Sequence, residues 1–340
     1  MPGYPRSPDV LELTARLMEI DSTSGREGAM VDWLENYLAG GDWRVRRIPV
    51  TPGRDDLLAT SSENPLVTLS THLDTVPPFI PPRLDGDVLW GRGACDAKGI
   101  AAAMILAAER LRARDTPVAL LFVVGEEVSH DGAEAANRVR TTSKVLINGE
   151  PTESTLAAGT KGAMRFTLRT RGQAAHSAYP HLGRSAIRDL VTLLHEMESV
   201  QLPSDPQLGE TTINIGMIDG GIADNVMAPS AEARLMARLV TSPEEFESVL
   251  RRWVGERAEL EIGITVPLAR LGTLPGFQTS IAAFATDIPK LNNWGRPYLF
   301  GPGSILHAHR DDEHVEVAEL GAAVDSYARI AEMALRALSS

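Results

Sequence analysis

Cysteine is almost absent from this 340-residue chain, which contains only Cys95. A single cysteine excludes an intramolecular disulfide bond and favours a reducing compartment, so we expect a cytoplasmic protein. Long apolar runs are missing too. The longest, at residues 100–108 and 118–124, fall far short of the roughly 20 residues that a membrane helix needs. The first ten residues, MPGYPRSPDV, hold no apolar core of a signal peptide.

Positive charge is in deficit. The chain carries 33 lysines and arginines against 45 acidic residues, which gives a formal net charge of −12. An acidic chain without a basic run is a poor partner for nucleic acids and for anionic membranes. The hydrophobic fraction of 43% and the charged fraction of 23% are those of an ordinary globular protein. Its length predicts two domains, at roughly 150 residues each.

Apolar patterning divides the chain into three parts. Residues 118–124 form a continuous apolar run of strand length, typical of a central strand covered on both faces. From about residue 161 the pattern changes to strand, helix, strand, strand, helix, strand, which is the βαββαβ order of a ferredoxin-like module. After about residue 270 the first pattern resumes. We therefore predict an α/β domain at 1–160 and 269–340, with a ferredoxin-like domain inserted at 161–268.

Acidic and imidazole side chains gather where the apolar strands of the predicted α/β domain end, and in the adjoining loops. These residues are His72, Asp74, Asp96, Glu126, Glu127, Glu150 and His309. In open α/β sheets, ligands bind outside the carboxyl ends of strands, so this placement indicates a site. One imidazole and one carboxylate per metal, joined by a bridging carboxylate, make a workable ligand set for two Zn²⁺ ions.

Six stretches of the sequence carry these residues and others of similar chemistry. They are STHLDTVP (70–77), LWGRGACDAKG (89–99), VVGEE (123–127), NGEP (148–151), AAHSAYPHLGRSAI (174–187) and FGPGSILHAHRDDEH (300–314). In this order they resemble the co-catalytic zinc peptidase family of acetylornithine deacetylase, succinyl-diaminopimelate desuccinylase, aminoacylase and glutamate carboxypeptidase. The resemblance runs the length of the chain. It implies an α/β/α catalytic domain with an inserted lid and dimerisation domain.

The resemblance assigns five metal ligands. His72 and Glu150 would bind one zinc ion, Glu127 and His309 would bind the other, and Asp96 would bridge the two. Each subunit would therefore hold two Zn²⁺ ions, and the same ligands accept Co²⁺ or Mn²⁺. The family also suggests a cis peptide bond after Asp96.

Asp74 and Glu126 receive roles beside the metals from the same resemblance. Asp74 would accept the imidazole N–H of His72 and fix its tautomer. Glu126 would be the general base that takes a proton from water and passes it to the leaving amine. Because neighbouring side chains alternate along a strand, we expect Glu126 and Glu127 to point in different directions at a strand end.

Four residues of the inserted domain match the family's lid. His176 would reach the partner subunit's active site and stabilise the oxyanion, which requires a homodimer. Asn225 and Arg238 would hold the substrate carboxylate, which a guanidinium fork binds bidentately, and Lys161 would assist. The chain departs from the family two positions before Arg238, where the family usually has an acidic residue and this chain has Met236.

Together these features predict a di-zinc hydrolase of an amide bond next to a free carboxylate. We expect first a deacylase of small N-acyl amino acids, of the acetylornithine or diaminopimelate type. A carboxypeptidase or dipeptidase, and a deacylase of an amino acid linked to a carrier protein, stay open within the same chemistry. A non-catalytic binding protein on the same fold is the alternative of a different class. Outside the assigned set, His130 and His307 are expected to be ordinary polar loop residues.

Overall fold

The described residues, 9–339 in the computed structural model, fall into two units. The first unit comprises the described residues up to Ala158, Leu271–Ser280, and those from Thr286 onward. The second comprises Gly159–Arg270 and Ile281–Ala285, and the predicted inserted domain at 161–268 falls inside it. Throughout this described range, no helix is long and apolar enough to cross a membrane.

Several helices begin at residues that are typical of helix N-termini. Asp9 accepts the N–H of Glu12 at 2.8 Å, and Ser242 accepts the N–H of Glu245 at 3.2 Å, so that each caps the helix that follows. In chain order the α-helices are α1 (Val10–Met18), α2 (Gly28–Ala39), α3 (Lys98–Arg112), α4 (Asp131–Ala136), α5 (Ala186–Glu196), α6 (Pro243–Val254) and α7 (Val317–Ser339).

The strands vary from two to ten residues in length. In chain order they are β1 (Arg44–Thr51), β2 (Arg54–Thr60), β3 (Val67–His72), β4 (Arg83–Asp85), β5 (Val88–Trp90), β6 (Val118–Val123), β7 (Val145–Asn148), β8 (Leu156–Thr160), β9 (Gly162–Arg171), β10 (Ser204–Asp205), β11 (Gly209–Glu210), β12 (Thr212–Gly220), β13 (Ser230–Leu239), β14 (Glu259–Val266), β15 (Ala269–Arg270), β16 (Thr279–Ala282), β17 (Arg296–Leu299) and β18 (His314–Glu316).

A six-stranded sheet in the order β1-β2-β6-β3-β7-β17 forms the centre of the first unit. Strands β6, β3, β7 and β17 run parallel to one another, whereas β2 is antiparallel to both of its neighbours. Every residue of β6 is buried, which confirms the predicted central strand. Because the four parallel strands share one direction, their carboxyl ends all lie at one edge of the sheet.

Helices cover both faces of this sheet, and the alternation of side chains along β6 separates the two cores. Phe122 lies in the core that α1, α2, α3 and α7 form on one face. Its neighbour Leu121 lies in the core of the other face, with Trp294 and the alanines of α4. Helix α3 is rich in alanine and is buried on most of its sides, so it packs closely between the sheet and its neighbours α1 and α7. The predicted α/β/α layering is confirmed.

The second unit has a four-stranded sheet in the order β12-β13-β9-β14, antiparallel throughout. Helix α5 follows β9 and α6 follows β13, so the βαββαβ order that the sequence predicts is confirmed. Both helices pack on one face of the sheet. Leu190 of α5, Phe246 of α6 and Leu235 of β13 belong to the same buried core.

Candidate metal centre

Each parallel strand of the main sheet delivers a titratable side chain at its carboxyl end. His72 is the last residue of β3, and Glu150 follows β7 by two residues. Glu126 and Glu127 follow β6, and His309 lies in the loop after β17. The chain therefore gathers at one sheet edge residues that are far apart in sequence, in the position where α/β proteins bind their ligands.

Asp96 stands between two imidazoles. Its Oδ1 lies 3.0 Å from Nε2 of His72, and its Oδ2 lies 3.4 Å from Nε2 of His309. Nε2 of His309 is also 2.9 Å from Oε2 of Glu127, and Nε2 of His72 is 3.9 Å from Oε2 of Glu150. The five side chains thus form two groups, one around each imidazole, and Asp96 belongs to both. The peptide bond between Asp96 and Ala97 is cis, as expected.

Asp74 organises this edge through hydrogen bonds to main-chain groups. Its carboxylate accepts the N–H groups of Glu126 at 3.1 Å and Glu127 at 3.2 Å, and the hydroxyl of Ser24 at 2.8 Å. The main-chain carbonyl of Asp74 lies 2.8 Å from Nδ1 of His72, whereas its carboxylate is 3.5 Å away. A carbonyl only accepts, so Nδ1 carries the proton and Nε2 faces Asp96. The expected contact is therefore made mainly by the carbonyl of Asp74.

A turn, and not the end of a strand, presents Glu126 and Glu127. Strand β6 ends at Val123, and the chain then passes through Gly125 with a φ of 76°. A side chain at Gly125 would strain the backbone, and its Cβ would stand 2.3 Å from Oδ1 of Asp131. The prediction that strand alternation separates the two glutamates is therefore wrong, because the turn sets their directions.

The buried carboxylates repel one another and depend on the imidazoles for compensation. Burial raises the pKa of Glu126, and the charge of Glu150 adds to the effect. Burial opposes ionisation of Asp96 as well, but hydrogen bonds to His309 and His72 lower its pKa overall. In return, hydrogen bonds to Asp96 and Glu127 raise the pKa of His309 to about 10. The site is therefore an acidic cluster whose negative charge a bound cation would offset.

This donor set fits two divalent cations. Oε1 of Glu150 is buried, and among the described residues no group hydrogen-bonds to it. Ligand atoms of His72, Asp96 and Glu127 all lie within 4.8 Å of one another. Imidazole nitrogens and carboxylate oxygens are ligands that Zn²⁺, Co²⁺ and Mn²⁺ accept. A bound cation would give Oε1 of Glu150 a partner, and it would replace the protons that the imidazole nitrogens hold in its absence.

Arg92 and Glu313 form a buried ion pair beside Asp96 to which the sequence analysis gave no role. One guanidinium nitrogen of Arg92 lies 2.7 Å from Oε2 of Glu313 and donates to the carbonyl of Arg310. Oε1 of Glu313 accepts the N–H groups of Gly93 at 2.9 Å and Asp96 at 3.2 Å. The pair therefore ties the segment that carries Asp96 to the loop that carries His309. The sequence does offer a signal for Glu313, because this acidic residue stands only four positions after the candidate ligand His309.

His130 is another residue that the sequence analysis underrated. The expectation of an ordinary polar loop residue is wrong, because His130 is only 8% exposed and its Nδ1 lies 2.8 Å from Oδ1 of buried Asp287. The same nitrogen is 3.7 Å from Oε1 of Glu126. His130 thus lies between the carboxylates of Asp287 and Glu126. His307, by contrast, stacks on His314 with ring centroids 4.0 Å apart.

The second unit holds the four residues that were assigned to substrate binding or to the lid. His176 is exposed and its Nδ1 accepts the N–H of Ala178, while the carbonyl of Asn225 accepts the N–H of Ser177. The structure therefore brings His176 and Asn225 to neighbouring segments of this unit. Arg238 lies on β13, and Nζ of Lys161 donates to the carbonyl of Glu210 at 2.6 Å.

Comparison with known sequences identifies relatives over most of the chain. The family model described as Peptidase family M20/M25/M40 matches residues 68–333. A Peptidase M20 domain-containing protein of Schizosaccharomyces pombe is 37% identical over 345 residues, which cover 98% of this chain and 86% of that protein. A probable carboxypeptidase of Paracoccidioides brasiliensis is 36% identical over 378 residues, which cover 96% of this chain and 86% of that protein.

Solved structures share the fold. A tripeptidase from Staphylococcus aureus matches with a TM-score of 0.80 at 19% identity, covering 94% of this chain and 96% of its own. The M20 family metallo-carboxypeptidase Sso-CP2 of Sulfolobus solfataricus matches with a TM-score of 0.77 at 15% identity, covering 96% and 99%. A dinuclear metal binding peptidase of Bacillus subtilis, YXEP, matches with a TM-score of 0.69 at 16% identity, covering 96% and 98%. From the extent of the family match and the identity to its relatives, the chain belongs to peptidase family M20/M25/M40 and is a metal-dependent hydrolase.

Proposed function

We propose that this chain hydrolyses an amide bond next to a free carboxylate, with two divalent cations at the candidate metal centre. The ligands are His72 and Glu150 for one cation, His309 and Glu127 for the other, and Asp96 for both. The observation that carries the proposal is the placement of Asp96, whose two oxygens each face a different imidazole. Zn²⁺ is the first choice because nitrogen and oxygen donors suit it, and Co²⁺ or Mn²⁺ are substitutes.

Glu126 is the general base in this proposal. When bound, the cations would polarise the amide carbonyl and make water more acidic. Glu126 takes the proton from the attacking water and hands it to the departing amine, which its position beside Glu127 allows. Its raised pKa, caused by burial and by Glu150, favours this role because a base must also hold the proton before releasing it. Asp74 keeps Glu126 in place through the N–H at 3.1 Å.

The substrate that we favour is a short peptide cleaved at its carboxyl-terminal bond. The support is the name of the relatives, since proteins 36% identical to this chain are described as probable carboxypeptidases. The second candidate is a deacylase of small N-acyl amino acids, which was the first expectation from the sequence motifs. Both substrates present an amide bond beside a free carboxylate, so the same ligands and the same base serve either reaction.

The second unit supplies substrate contacts and a dimer surface in this proposal. Arg238 and Asn225 bind the substrate carboxylate, Lys161 assists, and His176 acts in the partner subunit of a homodimer. The support for a dimer is β12, an edge strand whose large apolar side chains are exposed, with Met217 at 61%. An exposed apolar edge strand is a template for pairing with another chain. A cytoplasmic location stays the expectation from the single cysteine.

A substrate panel with controlled metal content tests this function. Metal-stripped protein is assayed with and without Zn²⁺, Co²⁺ or Mn²⁺ on free and carboxyl-amidated dipeptides and tripeptides, and on N-acetyl and N-succinyl amino acids. We expect metal-restored cleavage of substrates with a free carboxylate, and loss of cleavage on amidation. If only the N-acyl amino acids are cleaved, the activity is that of the deacylase and not that of the carboxypeptidase. Equal cleavage of the amidated substrates would refute the carboxylate requirement.

The variant Glu126→Gln tests whether Glu126 acts as a general base and not as a metal ligand. The variant is expected to keep both metals and to lose at least about 100-fold in kcat, since a general base contributes about that much or more. Glu19→Gln, a change at an exposed residue of the same unit, is the matched control. Metal content is measured by elemental analysis of each variant. Substantial residual turnover with full metal content would remove Glu126 from this role.

A further inference from the structure

A cavity of about 450 Å³ lies in the first unit at the other end of the parallel strands from the candidate metal centre. Its lining includes Pro65 and Thr142, which stand just before β3 and β7, whereas His72 and Glu150 lie at or beyond the carboxyl ends of those strands. Strand β3 has six residues, so the cavity is roughly 20 Å from His72. Substrate held at the metal centre cannot reach it. We call this cavity the arginine pocket, for the residues described next.

Three arginines surround the arginine pocket. Arg44 and Arg46 project from the same face of β1, two residues apart, and Arg140 approaches from the segment before β7. Arg44 pairs with exposed Glu63 at 3.5 Å, whereas the side chains of Arg46 and Arg140 make no ion pair or side-chain hydrogen bond within the described part of the chain. Arg47, on the opposite face of β1, pairs with acidic residues of α2. The pocket therefore carries two guanidinium groups without an acidic partner among the described residues, in a chain whose net charge is −12.

Buried hydrogen-bonding groups without partners belong to the same pocket. Trp294 lines it and is 1% exposed, and its Nε1 has no hydrogen-bond partner among the described residues. Oγ of Ser62, also in the lining, is likewise buried without a partner there. An unpaired buried donor costs stability, and both atoms are enclosed by the protein beneath the pocket surface. Anionic oxygens in the pocket would meet the guanidinium groups of Arg44, Arg46 and Arg140, which are exposed.

We propose that the arginine pocket binds a small polyanion, a phosphate ester or a polycarboxylate, as a second ligand of this enzyme. Guanidinium forks bind phosphate and carboxylate groups through paired charge-assisted hydrogen bonds. Three of them around one cavity match a ligand with two or three anionic groups, and 450 Å³ is within the range of small-molecule sites. The ligand is not the substrate of the proposed hydrolysis, because it lies at the far end of the sheet.

Calorimetric titration of the metal-loaded enzyme tests the proposal with two probes, inorganic pyrophosphate and tricarballylate. Both probes also bind metal ions, so the pocket is read from the difference between variants. Arg46→Gln and Arg140→Gln each remove one guanidinium group from the lining. Arg16→Gln removes an exposed arginine from α1 as the matched control. Because all three side chains are exposed, we expect the variants to keep the thermal midpoint of the parent without ligand.

We expect one saturable site per chain that Arg46→Gln and Arg140→Gln each weaken at least about tenfold, and that Arg16→Gln leaves unchanged. Binding of pyrophosphate alone would identify a phosphate ligand, and binding of tricarballylate alone a polycarboxylate; either supports the site. Absence of binding at millimolar concentration, or equal affinity in all four proteins, would overturn it. The hydrolytic function is tested separately, since none of these arginines belongs to the metal centre.

Discussion

The buried ion pair between Arg92 and Glu313 offers the sharpest test of how the metal centre is held. Both residues are 1% exposed, so neither charge is solvated by bulk water. Glu313 binds the guanidinium group with one oxygen and the N–H groups of Gly93 and Asp96 with the other. Replacing it by glutamine keeps the shape and one carbonyl oxygen for these N–H groups. The amide nitrogen then faces the guanidinium group, and because both groups are hydrogen-bond donors, no hydrogen bond can form between them.

The structure sets the size of the expected effect. Glu313→Gln leaves the Arg92 guanidinium buried without its carboxylate, and breaking a buried pair in this way costs about 3–5 kcal/mol of unfolding free energy. The carbonyls of Pro78 and Arg310 still accept from Arg92, at 3.3 Å and 2.9 Å, which favours the lower half of that range. Metal affinity should fall about 10–100-fold, because groups that orient ligands typically contribute that much.

A double-mutant cycle isolates the pair. Urea unfolding, with and without Zn²⁺, is compared for Glu313→Gln, Arg92→Met and the double variant, with exposed Glu316→Gln as the control. The double variant should lose clearly less than the sum of the single losses, because it no longer buries an uncompensated guanidinium group. A loss below about 1 kcal/mol for Glu313→Gln, or strict additivity of the two losses, would refute this reasoning.

Three further predictions concern groups around the centre. Burial raises the pKa of Asp56 to about 8, so the folded chain holds a proton that the unfolded chain releases above about pH 4. The free energy of unfolding should therefore fall between pH 4 and 8, by at most about 6 kcal/mol, and Asp56→Asn should remove that slope in urea titrations. His130→Ala should lower kcat at least about tenfold while both metals are retained. His130→Asn should have a higher kcat than His130→Ala, because its amide nitrogen can donate to Asp287 in place of Nδ1. Equal kcat in the two variants would count against a positioning role. Gly149→Ala should reduce metal content, because its Cβ would stand 2.3 Å from Cγ2 of Ile100 and 2.6 Å from Cε of Met104 and push Glu150 aside. Adding both Ile100→Ala and Met104→Ala should restore part of the metal content, and failure of this triple variant to do so would show that crowding is not the cause.

The gathering of the ligands could be predicted from the sequence because it follows from a rule of topology. The apolar runs before His72, Glu127 and Glu150 each have strand length, and parallel strands present their carboxyl ends together. The inserted βαββαβ module could be predicted for a similar reason, since its strands and helices alternate within a short stretch. Local apolar pattern and chain order were sufficient for both.

Directions of side chains could not be predicted in the same way. The apolar run predicts that Glu126 and Glu127 end a strand, but Gly125, which has a positive φ, turns the chain after Val123 and sets the directions of both side chains. Asp287 meets His130 across 157 residues of sequence, and no local pattern links the two. Such contacts depend on how loops return to the sheet edge, which periodicity does not encode.

Two carboxylates outside the proposed ligand set explain how the acidic metal centre keeps its shape. Asp74 accepts the N–H groups of Glu126 and Glu127, and Glu313 accepts those of Gly93 and Asp96. Each carboxylate thus fixes the main chain of a segment that carries ligands, and each is buried beside a nitrogen base, His72 for Asp74 and Arg92 for Glu313. The repulsion among the ligand carboxylates therefore acts on side chains whose backbones are already fixed. A cation entering the site has only to orient side chains and release protons from the imidazoles, and this preorganisation lowers the entropic cost of binding it.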